Sequence, residues 1–128
     1  MPITPVKTLV AQAKAQITSY STQEAAARVA DGTAVFVDIR DPRELKRDGK
    51  LPGALHAPRG MLEFWIDPES PYHKDWLDTD KEMIFYCASA WRSALTVKAL
   101  KEMGCENIAE MEGGFSAWKK EDREIEEV

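Results

Sequence analysis

The sequence predicts an α/β domain of three layers, in which a central, mostly parallel sheet of five strands carries helices on both faces. Two segments, AVFVDI at 34–39 and KEMIFYC at 81–87, have the near-continuous apolar character of strands covered on both sides. Segments with helical signals alternate with the predicted strands, which is typical of a parallel sheet. At 128 residues, the chain is large enough for one core without disulfides or metals.

The predicted strands are short apolar segments bounded by turn residues, at 17–20, 34–39, 55–57, 81–87 and 106–111. The predicted helices of the domain lie at 21–32, 41–50, 60–67, 92–104 and 113–122. Ser21 and Glu24 have the spacing of a capping box, and Pro42 suits a first helical turn. Residues 1–15, rich in Ala, Gln and Lys, are expected to form an N-terminal extension with a short helix, and 16–128 the domain itself.

Composition excludes several classes of partner. The formal net charge of −5 argues against binding to nucleic acid or to anionic membranes, because both need a basic face. No apolar run approaches the ~18 residues of a membrane helix, and the first residues lack the apolar core of a signal peptide. We therefore expect a cytoplasmic protein. Two cysteines, Cys87 and Cys105, form no disulfide framework and are expected to be intracellular thiols.

The motif YCASAWRS at 86–93 places Cys87 at the end of a strand and Arg92 near the start of the next helix. A short loop that enters a helix turns main-chain N–H groups toward one point, and the helix dipole adds about half a positive charge there. A sulfur at that point is stabilised as a thiolate, which makes Cys87 a candidate nucleophile. The alternative is that Cys87 is a small buried apolar residue at a strand end.

Residues 86–118 resemble the rhodanese family of sulfurtransferases, whose active-site loop runs Cys-x-x-x-x-Arg-Ser and is followed by a helix, a strand and a Gly-Gly-x-x-x-Trp segment. Upstream, FVDIRDPRELKRDGKLPGALHAP at 36–58 is similar to the Asp-x-Arg, Glu and Pro-Gly-Ala elements of that family, in the same order. The resemblance covers about 17–120 and implies a rhodanese-like fold.

The resemblance implies an enzyme of the thiosulfate sulfurtransferase (rhodanese) type. Cys87 would take a sulfane sulfur from a donor such as thiosulfate, become a persulfide, and pass the sulfur to cyanide or to a thiol, including a protein thiol. No cofactor is implied. The outer sulfur is expected to be held by the loop amides of Ala88, Ser89, Ala90, Trp91 and Arg92. The alternative function is a non-catalytic rhodanese-like binding or sensing module in which the cysteine is idle.

Four residues are expected to support the loop or the substrate. Arg92 either binds the anionic group of the donor or braces the loop through a carboxylate. Asp38 is expected to support a loop through hydrogen bonds, and Ser93 to support the reactive cysteine. Arg40 stands four residues before Glu44, a spacing that predicts an ion pair if the segment is helical.

Three positions in the loop qualify the resemblance. Related phosphatases and arsenate reductases have arginine after five intervening residues, where this chain has Ser93, so we expect negligible phosphatase activity. Ala90 stands where the family commonly has glycine; a positive φ there would cost alanine about 1–2 kcal/mol, and the alternative is a different loop shape. Trp91 is expected to pack on the outer face of the loop; the alternative is a rim that selects the sulfur acceptor.

The remaining candidates are predicted to be structural. No metal is predicted, because the histidines and cysteines lack paired zinc-ligand spacing. His56 and His73 are not expected to act as bases. Cys105 is expected to pack, with a resolving thiol as the alternative. The aromatic segment 61–77 is expected to cover a sheet face or, alternatively, to wall the pocket. The glycines at 113–114 predict a tight turn with close backbone approach.

Overall fold

The computed structural model describes residues 2–128 and contains six α-helices and five strands among them. The helices are α1 (Val6–Lys14), α2 (Thr22–Ala30), α3 (Pro42–Asp48), α4 (Leu62–Ile66), α5 (Trp91–Met103) and α6 (Gly114–Lys120). The strands are β1 (Ser19–Tyr20), β2 (Ala34–Asp38), β3 (Leu55–His56), β4 (Glu82–Tyr86) and β5 (Ile108–Met111). Short 3₁₀ turns at Arg59–Met61 and Asp75–Leu77 flank α4 and precede β4.

The five strands form one sheet in the order β1-β5-β4-β2-β3, and every pairing in it is parallel. Strand β4 is central, and its last residue, Tyr86, pairs with Asp38 at the end of β2. The carboxyl ends of these strands therefore meet at one edge of the sheet, which is where ligands bind in open parallel sheets.

Alternate residues of the central strand pack into two separate cores. Ile84 and Tyr86 belong to a cluster that includes Trp118 of α6. Phe85 belongs to a second cluster, which includes Val97 of α5. Because successive side chains of a strand point to opposite faces, these clusters lie on the two sides of the sheet. The predicted three-layer fold with a five-stranded sheet is confirmed.

Helix α1 lies on the outer side of α5. Its buried residues Val10 and Ala13 pack against Ala94, with Ile17 and Leu95 at the margin of the contact. The N-terminal segment therefore contains a helix that is attached to the helix following the cysteine loop. Within residues 2–128, no helix combines the length and the apolar character needed to cross a membrane.

The aromatic segment covers the core less than predicted. Trp65 packs at the margin of the second cluster. Phe64, Tyr72 and Trp76 are 53%, 59% and 41% exposed, so the prediction that they cover a sheet face is wrong. Edge-to-face contacts join Phe64 to Tyr72 and Trp65 to Trp76.

Candidate active site

Cys87 directly follows the central strand and lies at the N-terminus of the 13-residue helix α5. The residue is 1% exposed. Its Sγ accepts hydrogen bonds from the main-chain N–H of Ala90 at 3.2 Å and of Ser93 at 3.4 Å. The loop thus directs N–H groups and the positive end of a helix dipole at one sulfur, which is the arrangement that favours a thiolate.

The loop donors differ in part from the predicted set. The two amides that face the Cys87 sulfur itself belong to Ala90, which lies within the range predicted to hold the outer sulfur, and to Ser93, which lies one residue beyond it. Ser89, Trp91 and Arg92 are exposed and Ala88 is half-buried, so this part of the loop faces the surface. Whether their amides hold an outer sulfur stays a prediction.

Ala90 adopts the left-handed conformation, with φ 72°, as the N-cap of α5. This conformation turns the chain from the loop into α5, whose first-turn N–H of Ser93 faces the sulfur. Alanine is strained there because its Cβ approaches the neighbouring carbonyl oxygen. The positive φ predicted at this position is confirmed, and the chain uses alanine in spite of the strain.

The first turn of α6 holds the other side of the loop. The N–H groups of Phe115 and Ser116 donate to the carbonyl oxygens of Cys87 (2.8 Å) and Ala88 (2.9 Å). Gly114 has φ +57°, and a Cβ there would collide with both carbonyl oxygens. The predicted close backbone approach at 113–114 is therefore found, and its partner is the cysteine loop.

Arg92 forms a bidentate ion pair with Glu44 of α3, with Nη1 to Oε2 at 2.9 Å and Nη2 to Oε1 at 3.0 Å. The same carboxylate accepts the main-chain N–H of Asp41 at 2.9 Å and so completes the capping box of α3. The hydrogen bond from Arg92 lowers the pKa of Glu44. Of the two roles considered for Arg92, the carboxylate brace is present in the structure; donor binding stays a prediction.

Arg40 pairs with Asp38, not with Glu44, so the predicted ion pair is wrong. Its Nη2 lies 2.8 Å from Oδ2 of Asp38 and donates to the carbonyl of Gly49 at 2.7 Å. The two side chains are 1% and 0% exposed, and the guanidinium lies 4.2 Å from the ring centroid of Phe115. Arg40 precedes the first turn of α3, so the helical spacing to Glu44 does not apply. Asp38 also accepts the main-chain N–H of Arg40 at 2.9 Å, and its support of a loop stays a prediction.

Ser93 connects the cysteine to a charged residue that the sequence reasoning missed. The thiol of Cys87 donates to Ser93 Oγ at 3.7 Å, and Ser93 Oγ donates to Oε1 of Glu110 at 2.7 Å. Glu110 is fully buried in β5, and its Oε2 accepts from Lys14 of α1 at 2.8 Å and from Ser19 Oγ at 2.7 Å. A glutamate inside a short predicted strand was the available signal, since an unpaired buried carboxylate is costly.

The other candidates lie in structural contacts. His56 Nε2 contacts the carbonyl of Arg40 at 2.7 Å, and His73 lies between the carbonyl of Trp65 and the carboxylate of Asp78. Cys105 is half-buried beside the second core, and burial raises its pKa. Across residues 2–128, no three His, Cys, Asp or Glu side chains are grouped so that they could hold a metal ion.

Comparisons with known proteins point to one family. The profile of the Rhodanese-like domain matches residues 21–121. A Bacillus subtilis protein named "Putative sulfurtransferase YtwF" is 34% identical over 92 residues, which are 72% of this chain and 80% of that protein.

Solved structures agree on the fold. A Rhodopseudomonas palustris protein of unknown function, named "Possible Tyrosine Phosphatase", matches with a TM-score of 0.90 and 46% identity, over 98% of this chain and 99% of that one. The polysulfide-sulfur transferase homodimer from Wolinella succinogenes matches with a TM-score of 0.70 and 31% identity, over 95% of this chain and 87% of that one. With a family match over most of its length and a cysteine loop of the family's spacing, the chain belongs to the rhodanese-like domain family.

Proposed function

We propose that the protein is a sulfurtransferase that carries a sulfane sulfur on Cys87. The observation that carries this proposal is the position of the Cys87 sulfur, which accepts two main-chain N–H groups at the start of α5. Family membership and relatives named as sulfurtransferases support the same activity.

The first half-reaction loads sulfur onto the enzyme. The thiolate of Cys87 attacks the outer sulfur of thiosulfate, the S–S bond of thiosulfate breaks, and sulfite leaves with the electron pair. The product is a persulfide whose outer sulfur carries the negative charge. Main-chain N–H groups of the loop and the dipole of α5 stabilise that charge, as an oxyanion hole stabilises an oxyanion.

The second half-reaction returns the enzyme to its starting state. Cyanide or a thiolate attacks the outer sulfur, the persulfide bond breaks, and Cys87 leaves as a thiolate while the acceptor carries the sulfur away. The acceptor is a small molecule or a protein thiol. Trp91, which is 46% exposed at the edge of the loop, is proposed to form a rim that influences the choice of acceptor.

Intact mass after incubation with thiosulfate tests the proposal. We expect the wild-type protein to gain one sulfur atom, the Cys87→Ser variant to gain none, and cyanide to remove the added sulfur. A folded wild-type protein that gains no sulfur from thiosulfate, polysulfide or a persulfide donor would favour the alternative, a non-catalytic binding or sensing module.

A phosphatase is the second candidate, because the Rhodopseudomonas relative is named as a possible tyrosine phosphatase. Four residues separate Cys87 from Arg92, and Arg92 is paired with Glu44. We expect no hydrolysis of p-nitrophenyl phosphate above the rate of Cys87→Ser. Turnover that the Cys87→Ser variant lacks would overturn the choice of sulfur transfer over phosphoryl transfer.

Two further assignments belong to this proposal. We assign sulfur transfer to residues 16–128 and treat 1–15 as an N-terminal extension of that domain. We also propose a cytoplasmic location, because a reducing compartment keeps both thiols free of disulfides.

A further inference from the structure

A buried carboxylate lies two hydrogen bonds from the reactive sulfur. Glu110 is 0% exposed, and its three donors come from three other segments: Ser93 of α5, Lys14 of α1 and Ser19 of β1. Three donors surround the carboxylate, and one of them is the ammonium of Lys14, which forms an ion pair with it. The loop proposed to carry sulfur therefore has a buried negative charge beneath it.

This carboxylate determines whether the Ser93 hydroxyl donates a hydrogen bond to the sulfur or accepts one from it. A hydroxyl has one proton, and Ser93 donates it to Glu110 at 2.7 Å. The oxygen lone pairs therefore face Cys87, whose thiol donates to them at 3.7 Å. The hydroxyl supports the neutral thiol, while the N–H groups of Ala90 and Ser93 support the thiolate.

The charged groups around Cys87 form three ion pairs. Arg92 of α5 contributes a positive charge near the sulfur, and Glu44 of α3 is paired with that guanidinium. Glu110 contributes a negative charge from β5, and Lys14 of α1 offsets it. Asp38 and Arg40 at the end of β2 neutralise each other.

We propose that Glu110 and Lys14 are positioning residues that set the charge state and the nucleophilicity of Cys87 through the Ser93 hydroxyl. Glu110 opposes the thiolate by its like charge and by withdrawing the hydroxyl proton, and Lys14 limits that opposition. Helix α1, outside the matched family region of 21–121, thereby contributes to the reactive site. The proposal rests on the proposed function only in taking Cys87 as the reacting thiol.

The test is the pH dependence of Cys87 alkylation by iodoacetamide in the full-length protein, followed by mass spectrometry of the peptide that contains Cys87. In Glu110→Gln, the midpoint of the rate profile is expected to fall by about one pH unit, because a like charge is removed and the amide donates to Ser93. The plateau rate is expected to fall about threefold, because nucleophilicity declines as the thiolate is stabilised.

In Lys14→Met, the midpoint is expected to rise, because the charge of Glu110 is no longer offset. Opposite shifts from the two partners of one ion pair distinguish positioning from a purely structural role, in which both variants would loosen the same site. A midpoint in Glu110→Gln that is unchanged or raised would overturn the proposal, and so would one in Lys14→Met that is not raised.

Glu112→Gln is the matched control, because it removes the same charge from an exposed position two residues away and should leave the midpoint unchanged. If Glu110→Gln does not fold, Lys14→Met decides the question, since it changes a side chain that is 34% exposed. Alkylation requires no sulfur donor. Shifted midpoints in a protein that never gains sulfur would therefore contradict sulfur transfer and leave this proposal standing.

Discussion

Replacing Gly114 by alanine tests whether the first turn of α6 holds the cysteine loop. At φ +57°, an alanine is strained by about 1–2 kcal/mol. Its Cβ would also collide with the carbonyl oxygens of Cys87 and Ala88, so the two backbones must separate. Separation breaks the hydrogen bonds from Phe115 and Ser116, at about 1 kcal/mol each. We expect the free energy of unfolding to fall by about 3 to 4 kcal/mol in total.

Gly32→Ala is the matched control. Gly32 also has a positive φ, +80°, but a Cβ there would meet no atom within 4 Å. Strain alone, partly offset by the lower entropy of the unfolded chain, should cost about 1 kcal/mol.

Urea unfolding in reducing buffer measures both values, and calorimetry should show melting temperatures lower by roughly 12 to 16 °C for Gly114→Ala and about 4 °C for Gly32→Ala. If the free energy of unfolding falls by the same amount in Gly114→Ala and Gly32→Ala, within about 0.5 kcal/mol, the reasoning is refuted, because the collision at Gly114 would then contribute nothing.

Three other predictions concern the loop and the segment around it. Ala90→Gly should raise the free energy of unfolding by about 0.5 kcal/mol in urea titrations, since relief of left-handed strain exceeds the entropy cost of glycine; a loss would contradict the strain. Glu44→Gln should slow sulfur loading from thiosulfate about tenfold, because the bidentate ion pair with Arg92 is lost. The rate is measured by intact mass spectrometry of samples quenched at set times, and an unchanged rate would show that the ion pair between Arg92 and Glu44 has no role in sulfur loading. The hydrogen bond that the His73 ring donates to Asp78 raises the pKa of His73, so the stabilisation from this pair is complete below the ordinary histidine pKa of 6.5 and is lost as pH rises through the raised value. Asp78→Asn should therefore lower the melting temperature at about pH 5.5 and much less at about pH 9, and equal losses at both would show that the charge is irrelevant.

The features that could be predicted from the sequence are those that depend on residues close together in the chain. The apolar runs and the helix signals between them fix the alternation of elements, and four residues between Cys87 and Arg92 suffice to predict a tight loop before a helix. The positive φ at Ala90 followed from the family's glycine.

The features that were missed depend on residues far apart in the chain. Glu110 is held by Lys14 and Ser19, which lie 96 and 91 positions away, and no local pattern connects them. The Arg40–Glu44 prediction failed because it used helical spacing for a residue that precedes the helix, and because Asp38 was already within reach in a site that excludes water.

The hydrogen bonds from α6 also fix the orientation of two peptide planes. Because the carbonyl oxygens of Cys87 and Ala88 are occupied by the N–H groups of Phe115 and Ser116, neither plane can rotate without breaking a bond. If either plane rotated, its carbonyl oxygen would point toward the side of the loop where the proposed thiolate or persulfide of Cys87 lies. The oxygen lone pairs would then repel that negative charge. Helix α6 thus prevents these two peptide planes from flipping. It keeps the carbonyl oxygens on the side of the loop that faces α6 and the N–H groups on the other side.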